Sequence, residues 1–471
     1  MTKERPYVEK TVAMFTGLFV KANLFESAPA ALSGLIVRYI GAVKTPAARY
    51  IIDPVTYVFG LTPDGPDGES ALCHWKSLTE AEADRRVRQD YRLGEVEPIP
   101  TGRIRTSEQL GKVEALLMTR SYSRLADKIL CDPLRRAVGL RAFERSDFAD
   151  GAILDDFVGS VIDYQRGALK RCFEGAQYQE LGVALPEPTY VLSPYFRIES
   201  KETLEFMSSI WCAFDDRRLE NGAVVAMVSK EYFTNCWQEL ASTLLTTDSS
   251  VVMLWIPELK EESATRDDLV AFGRFVQMLA HSGRSVVNLY GGGFSMSLLS
   301  YGLAGLINGP GYGLQRNAIP IKGGAPAASF YIPTSRVRKG ILDALRDMMD
   351  NPAIQSKQDF LDHVCSCPIC RAAMSEDPDE KNYPDAFWNY YGELVPSRTP
   401  GSNRQVPSKA TSDREAFHFL LARLLEFRTE RHSSPVDALE RLRACRSLWR
   451  GRSGDHLDTW IGVLSDLESG E

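Results

Sequence analysis

The sequence has no apolar run long enough to cross a membrane. The longest near its start, Thr11 to Val20, stops at Lys21, short of the roughly 18 residues a span needs, and no small-residue cleavage site follows. An excess of one charge sign is also missing, since 55 Lys and Arg face 62 Asp and Glu for a net charge of −7. That balance excludes a histone-like polycation, so any phosphate contact has to come from a local patch. Internal repeats and low-complexity tracts are absent too, which excludes collagen-like, coiled-coil and mucin-like chains. These absences predict a soluble, cytoplasmic protein without a membrane partner.

What is present suffices for a packed core. Hydrophobic residues are 44% and charged residues 25% of 471, enough apolar surface for a sizeable interior. At about 150 residues per domain the length fits about three units, or one barrel of about 250 residues with attachments.

Short apolar, β-branched runs recur with helical segments between them. They are Gly34 to Ile40, Tyr50 to Phe59, Thr189 to Ser193, Gly222 to Val228, Ser250 to Trp255, Ser285 to Tyr290, Gly302 to Ile307 and Ala328 to Ile332. Both faces of runs such as Val-Val-Met-Leu-Trp are apolar, as parallel strands covered by helices require. Between them Arg266 to His281 places Leu269, Phe272, Phe275, Val276 and Leu279 at helical spacing. Strand, helix, strand in this rhythm predicts right-handed parallel units. The expected fold class is α/β, a closed (β/α)8 TIM-type barrel over residues 1–350, with an open doubly wound sheet as the competing arrangement.

One excursion interrupts the rhythm between the second and third runs. The turn-rich stretch Pro63 to Thr101 and the helical stretch Ser107 to Tyr178 predict an inserted, mostly helical cap over 63–185. After Met349 come polar linkers, Ser375 to Lys381 and Pro396 to Thr411, and helical patterns over Asp413 to Arg431, Pro435 to Trp449 and Leu457 to Leu467. Residues 351–471 are therefore expected to form a separate C-terminal helical region, which a cysteine cluster within it makes zinc-binding as well.

Nine cysteines make an odd number, and six of them are scattered singly as small buried hydrophobes would be. The other three form Cys365-Ser-Cys367-Pro-Ile-Cys370. Three thiolates this close can converge on one ion at about 2.3 Å with little loop to close, and zinc is the natural ion. An iron–sulfur cluster would need a fourth cysteine, and a redox Cys-x-x-Cys would not need the third. His418, on a strong helical pattern, and His363, two residues before Cys365, are the candidate fourth ligands. Such a shell has no open position, so its metal is structural.

At the predicted barrel mouth the best carboxylate is Asp53, which follows two isoleucines in Ile51-Ile52-Asp53-Pro54. A charge there needs a partner or solvent, and it reads either as a nucleophile or general base, or as a strand-end cap. Tyr195, Glu258 and Lys230-Glu231 are weaker candidates at other strand ends. Gly291, Gly292 and Gly293 follow Tyr290 at the end of a buried strand, and reading them as a ligand-facing loop competes with a plain tight turn. Tyr312 and Arg316 lie one strand later and are candidates to stack on a base and hold a phosphate. Between Arg414 and Arg452 nine arginines and no lysine read as a solvated helix face or as a phosphate-facing patch, with the solvated face preferred.

A barrel pattern whose last strands are followed by Cys-x-Cys-x-x-Cys and a helix bearing His resembles the tRNA-guanine transglycosylases, the queuine and archaeosine enzymes, and their relatives that insert 7-deazaguanines into DNA. The resemblance is clearest from Ser285 to Arg428. It implies zinc on Cys365, Cys367, Cys370 and His418, with nucleic acid (tRNA or DNA) and a 7-deazaguanine-type base as partners. It also implies a pentosyltransferase reaction in which an aspartate attacks the ribose C1′ and one base replaces another. Here Gly309-Pro-Gly-Tyr312-Gly-Leu-Gln-Arg316 stands where the family's nucleophile segment is expected and carries no acid, and His418 follows Cys370 by 48 residues. The alternative is a non-catalytic zinc-braced barrel that binds nucleic acid or a protein partner.

Overall fold

A computed structural model describes residues 17–29, 32, 50–61, 122–138, 140–173, 187–309, 329–375, 379–397, 405–449, 451 and 454–470. The run Gly34 to Ile40, most of the predicted cap over 63–185, Tyr312 and Arg316 lie outside these residues.

The parallel strands follow one another in space as they do in sequence. Strand β1 (Leu18–Lys21) pairs with β2 (Tyr50–Asp53), and a parallel bridge from Ile51 to Tyr190 carries the ladder onward. Helices over 122–129 and Asp132–Val138, then α1 (Gly151–Phe173), fill the described part of the excursion. Strands β3 (Val191–Leu192) and β4 (Arg197–Ile198) both pair with β5 (Gly222–Val228), as two halves of one interrupted strand. Ser193 bridges the interruption: its amide donates to the Ala223 carbonyl and its hydroxyl accepts from the Val225 amide at 3.0 Å. Helix α2 (Lys201–Asp215) leads to β5, α3 (Lys230–Leu245) to β6 (Val251–Trp255), and α4 (Arg266–His281) to β7 (Ser285–Leu289), which pairs with β8 (Leu303–Ile307).

Every pairing in this series is parallel, and the order never reverses. A doubly wound sheet reverses its strand order at a switch point, and this one does not. Successive right-handed crossovers in one direction place all helices on one side of the sheet. Residues Ala223 to Val228 and Val251 to Trp255 are nevertheless buried on both faces. No pairing that would close a cylinder occurs among the described residues. The predicted eighth strand, Ala328 to Ile332, is instead β9 (Ser329–Ile332), which pairs antiparallel with β10 (Val337–Gly340). Arg336, at φ 58°, turns that hairpin.

The run Tyr50 to Phe59 is a strand only to Asp53. Pro54 has no amide to extend the ladder, Val55 takes left-handed dihedrals, and Thr56–Gly60 coils into a 3-10 helix. Strand β1 was not anticipated, because four residues ending in lysine carry little pattern.

The C-terminal region is helical as expected but has two loyalties. Helices α5 (Lys357–His363), α6 (Pro368–Ser375) and α7 (Tyr383–Tyr391) build a second core with Phe330, Cys367, Cys370 and Trp449. Helix α8 (Lys409–Arg431) passes between the two cores. Helices α9 (Pro435–Leu448) and α10 (Asp455–Ser469) join the core of the sheet through Leu442, Trp460 and Leu464. Gly273 of α4 admits Leu467 of α10, and Trp460 donates its indole N–H to the Glu261 carbonyl at 3.0 Å. No helix among the described residues is long and apolar enough to cross a membrane.

Candidate metal centre and candidate active site

The cysteine triplet is wound into the start of α6. Pro368 suits the first helical position because its missing amide would be unbonded there. The Cys367 amide points at the Cys365 sulfur at 3.4 Å and the Cys370 amide at the Cys367 sulfur at 3.5 Å, so backbone donors already favour thiolates. His418 arrives from α8 and is fully buried. Its Nε2–H donates to the Tyr331 carbonyl at 2.6 Å. A carbonyl only accepts, so that bond fixes the tautomer and leaves Nδ1 free to face the sulfurs.

Nδ1 lies 3.8, 3.4 and 3.3 Å from the sulfurs of Cys365, Cys367 and Cys370. Tetrahedral zinc bonds of about 2.3 Å to sulfur and about 2.0 Å to nitrogen put each such pair about 3.5 Å apart. The four donor atoms lie within 4.8 Å of one another and all four residues are buried, so the cluster can hold a metal ion. Burial acts against charge on His418, but the sulfurs of Cys365 and Cys367 outweigh it and raise its pKa to about 10. Phe330 stacks on the imidazole at 4.1 Å and 6°, and the Tyr391 hydroxyl sits 3.4 Å from the Cys370 sulfur. His363 is not part of the cluster.

Asp53 ends β2 and is 2% exposed. Its Oδ1 accepts from the Val55 amide at 2.9 Å and from the Tyr195 hydroxyl at 2.7 Å. Burial lifts its pKa to about 6 against the pull of those two donors, so it is mostly ionised at neutral pH. The same burial pushes Tyr195 well above the usual phenol range. Tyr57 stacks on Tyr195 at 5.5 Å and meets Trp255 edge-on at 5.1 Å, and Trp255 meets Tyr290 at 5.3 Å. A line of four rings therefore runs beside the carboxyl ends of β2, β6 and β7. Two of its neighbours in sequence or members, Val55 and Tyr290, have φ of 49° and 64°, which is costly for residues other than glycine.

Sequence reasoning named Asp53, Tyr195 and Tyr290, and the structure brings them into one cluster. Tyr57 and Trp255 were missed, since aromatic residues in apolar runs read as core. The weaker candidates have other partners: Glu258 pairs with Arg197 at 2.9 Å, and Lys230 pairs with Asp268 at 3.2 Å.

The glycine loop is closely held from within the chain. Glu261, 6% exposed, accepts the Gly292 amide at 2.7 Å and the Ser295 amide at 3.0 Å, together with the Ser295 hydroxyl. Arg423 donates to the carbonyls of Gly291 at 3.2 Å and Gly292 at 2.9 Å. A Cβ on Gly292 would come within 2.4 Å of the Glu261 carboxylate. The Gly292 amide, offered by the sequence as a ligand donor, is thus already used.

The arginine-rich stretch is not simply a solvated face. Arg423 is 4% exposed, Arg441 pairs with the buried Glu430 at 2.6 Å, and Arg446 pairs with Asp458 at 2.8 Å. A sign of this was available: Arg423 stands in Phe419-Leu-Leu-Ala-Arg-Leu-Leu, where no helical face is polar. Comparison with protein-family models, curated proteins and solved structures finds no match for the chain.

Proposed function

We propose that the sequentially wound parallel sheet closes as a (β/α)8 TIM-type barrel, that Cys365, Cys367, Cys370 and His418 hold a structural zinc ion, and that the chain exchanges a guanine-type base in tRNA or DNA. The observation that carries this reading is a joint one. A buried carboxylate lies among aromatic rings at strand carboxyl ends, in the same chain as a Cys3His cluster closed by a helix of the following region. Zinc bound there supplies folding energy and takes no part in the exchange.

Asp53 is the carboxylate that acts on the ribose. Its oxygen attacks C1′, the glycosidic bond breaks with the electron pair going to the departing base, and that base takes up a proton. The incoming base then loses a proton, attacks C1′ and releases Asp53 as carboxylate. Tyr195 holds the carboxylate through its O–H, buried Tyr57 and Trp255 back it, and half-buried Tyr290 is the member of the line against which a planar base would stack. The test is incubation with labelled guanine or a 7-deazaguanine and bulk tRNA or DNA. Incorporation that Asp53→Asn abolishes supports the reading, and its absence from both polymers sinks it.

The second reading is a non-catalytic, zinc-braced protein that binds nucleic acid or a protein partner. It is favoured by the glycine loop, whose Gly292 amide and Gly291 and Gly292 carbonyls are engaged internally. Retention of tRNA or DNA without incorporation would select it.

A further inference from the structure

Helix α8 carries two buried side chains with different targets. His418 and Arg423 are five residues apart, about 7.5 Å along the axis and about 140° around it, so one helix presents them to different neighbours. His418 meets the three sulfurs, and Arg423 meets the glycine loop at the end of β7. We infer that α8 couples the Cys3His centre to that loop: metal binding fixes the helix through His418, and the fixed helix holds Gly291 and Gly292 through Arg423, a positioning residue. The inference rests on reading the Cys3His cluster as a metal centre, and it holds under either functional reading.

Three further contacts support a defined route. Tyr331 accepts from His418 through its carbonyl, while its hydroxyl donates to Glu426 at 2.8 Å and accepts from Arg423 at 3.3 Å. A single residue of β9 thereby touches both the metal ligand and the clamp. Asn308 accepts from the Arg423 guanidinium at 3.2 Å and donates to the Gly291 carbonyl at 2.7 Å, which closes a ring of hydrogen bonds around the loop. Arg336, at the turn of the β9–β10 hairpin, donates to Ser297 and to Glu430 of α8, tying the hairpin to the helix that follows the glycines. Glu261 holds the amides from the opposite side, so the loop sits between a carboxylate on its donors and a guanidinium on its acceptors. Such an arrangement has little give, because releasing the guanidinium takes a donor from two buried carbonyls and leaves Gly291 to Asn308.

Hydrogen–deuterium exchange on the full chain tests this, with zinc content measured in parallel. Stripping the metal with 1,10-phenanthroline should speed exchange of the Gly292 and Ser295 amides by about tenfold or more beyond any loss of protection in β5 and β6. Arg423→Gln should give the same local effect with zinc retained, and chelation of that variant should add little, as expected of two changes on one route. Should Arg423→Gln fail to fold, Asn308→Ala removes the second hold on Gly291 and should give a smaller change at the same amides. Unchanged loop exchange after the metal is gone overturns the coupling, as does equal loss of protection in β5 and β6. Protein that is zinc-free as purified sinks the metal reading and the coupling with it, and Arg423→Gln then decides whether the clamp stands.

Discussion

The Cys3His cluster and the Asp53 cluster are both buried, yet they meet the cost of buried charge in different ways. At the first, three thiols and an imidazole turn their donor atoms on one point, backbone amides assist the sulfurs, and a carbonyl fixes the imidazole tautomer. At the second, a single carboxylate has two hydrogen-bond donors and a wall of rings, and its pKa rises to about 6. A closed shell would contribute folding energy once it holds a cation, whereas a carboxylate held short of full compensation destabilises the fold and has its pKa raised. The contrast teaches that burial alone does not identify chemistry. The balance of donors, acceptors and charge around the buried group does.

Removing one ligand is the strongest way to break the comparison. Cys370→Ser or His418→Ala should lower zinc from about one ion per chain and cost more than about 4 kcal/mol of stability, read by elemental analysis and denaturant unfolding. A stable variant would remove the structural role. Next in size, Glu430→Ala strands Arg336 and Arg441, whose partner carboxylate is 2% exposed, and should cost about 3–5 kcal/mol in the same unfolding assay.

The Asp53 site should show the reverse sign on neutralisation. Its folded pKa of about 6 lies above the ordinary 3.8, so the folded chain binds the proton more tightly. Its contribution is therefore most favourable below pH about 4 and is lost as pH rises through about 6, by on the order of 3 kcal/mol. Asp53→Asn should flatten that part of the stability–pH curve, and a curve of unchanged slope would contradict the assignment. The smallest effects probe the packing that joins the sheet to the C-terminal helices. A Cβ at Gly293 would lie 2.9 Å from the Arg336 carbonyl and 2.7 Å from Trp460, whereas one at Gly273 meets only the side chain of Leu467. Gly293→Ala should cost about 1–3 kcal/mol and Gly273→Ala less, as separate shifts in thermal unfolding.

Much of the fold and part of the site were legible. Residues Gly222 to Val228 form the expected strand and Arg266 to His281 the expected helix, because an apolar period survives folding unchanged. Cys365, Cys367 and Cys370 were visible through spacing, and Asp53 through a charge placed after two isoleucines. The line of rings was not visible, since Tyr57 lies beyond the break made by Pro54 and Val55 and meets Trp255 only across the sheet. Glu261 and Arg423 are ordinary charged residues in sequence, and their roles arise from partners 31 and 131 or more positions away.

Taken by itself, the sequence determined the rhythm of strand and helix and the identity of the clustered cysteines, because periodicity and short spacing are local properties of a chain. Tertiary structure decided which histidine meets the sulfurs, where Asp53 finds its phenol, and whether the glycine loop keeps any donor to offer. Those outcomes depend on which buried groups are left unpaired once distant segments pack, and hydrogen-bond satisfaction in a core is a property of the whole fold.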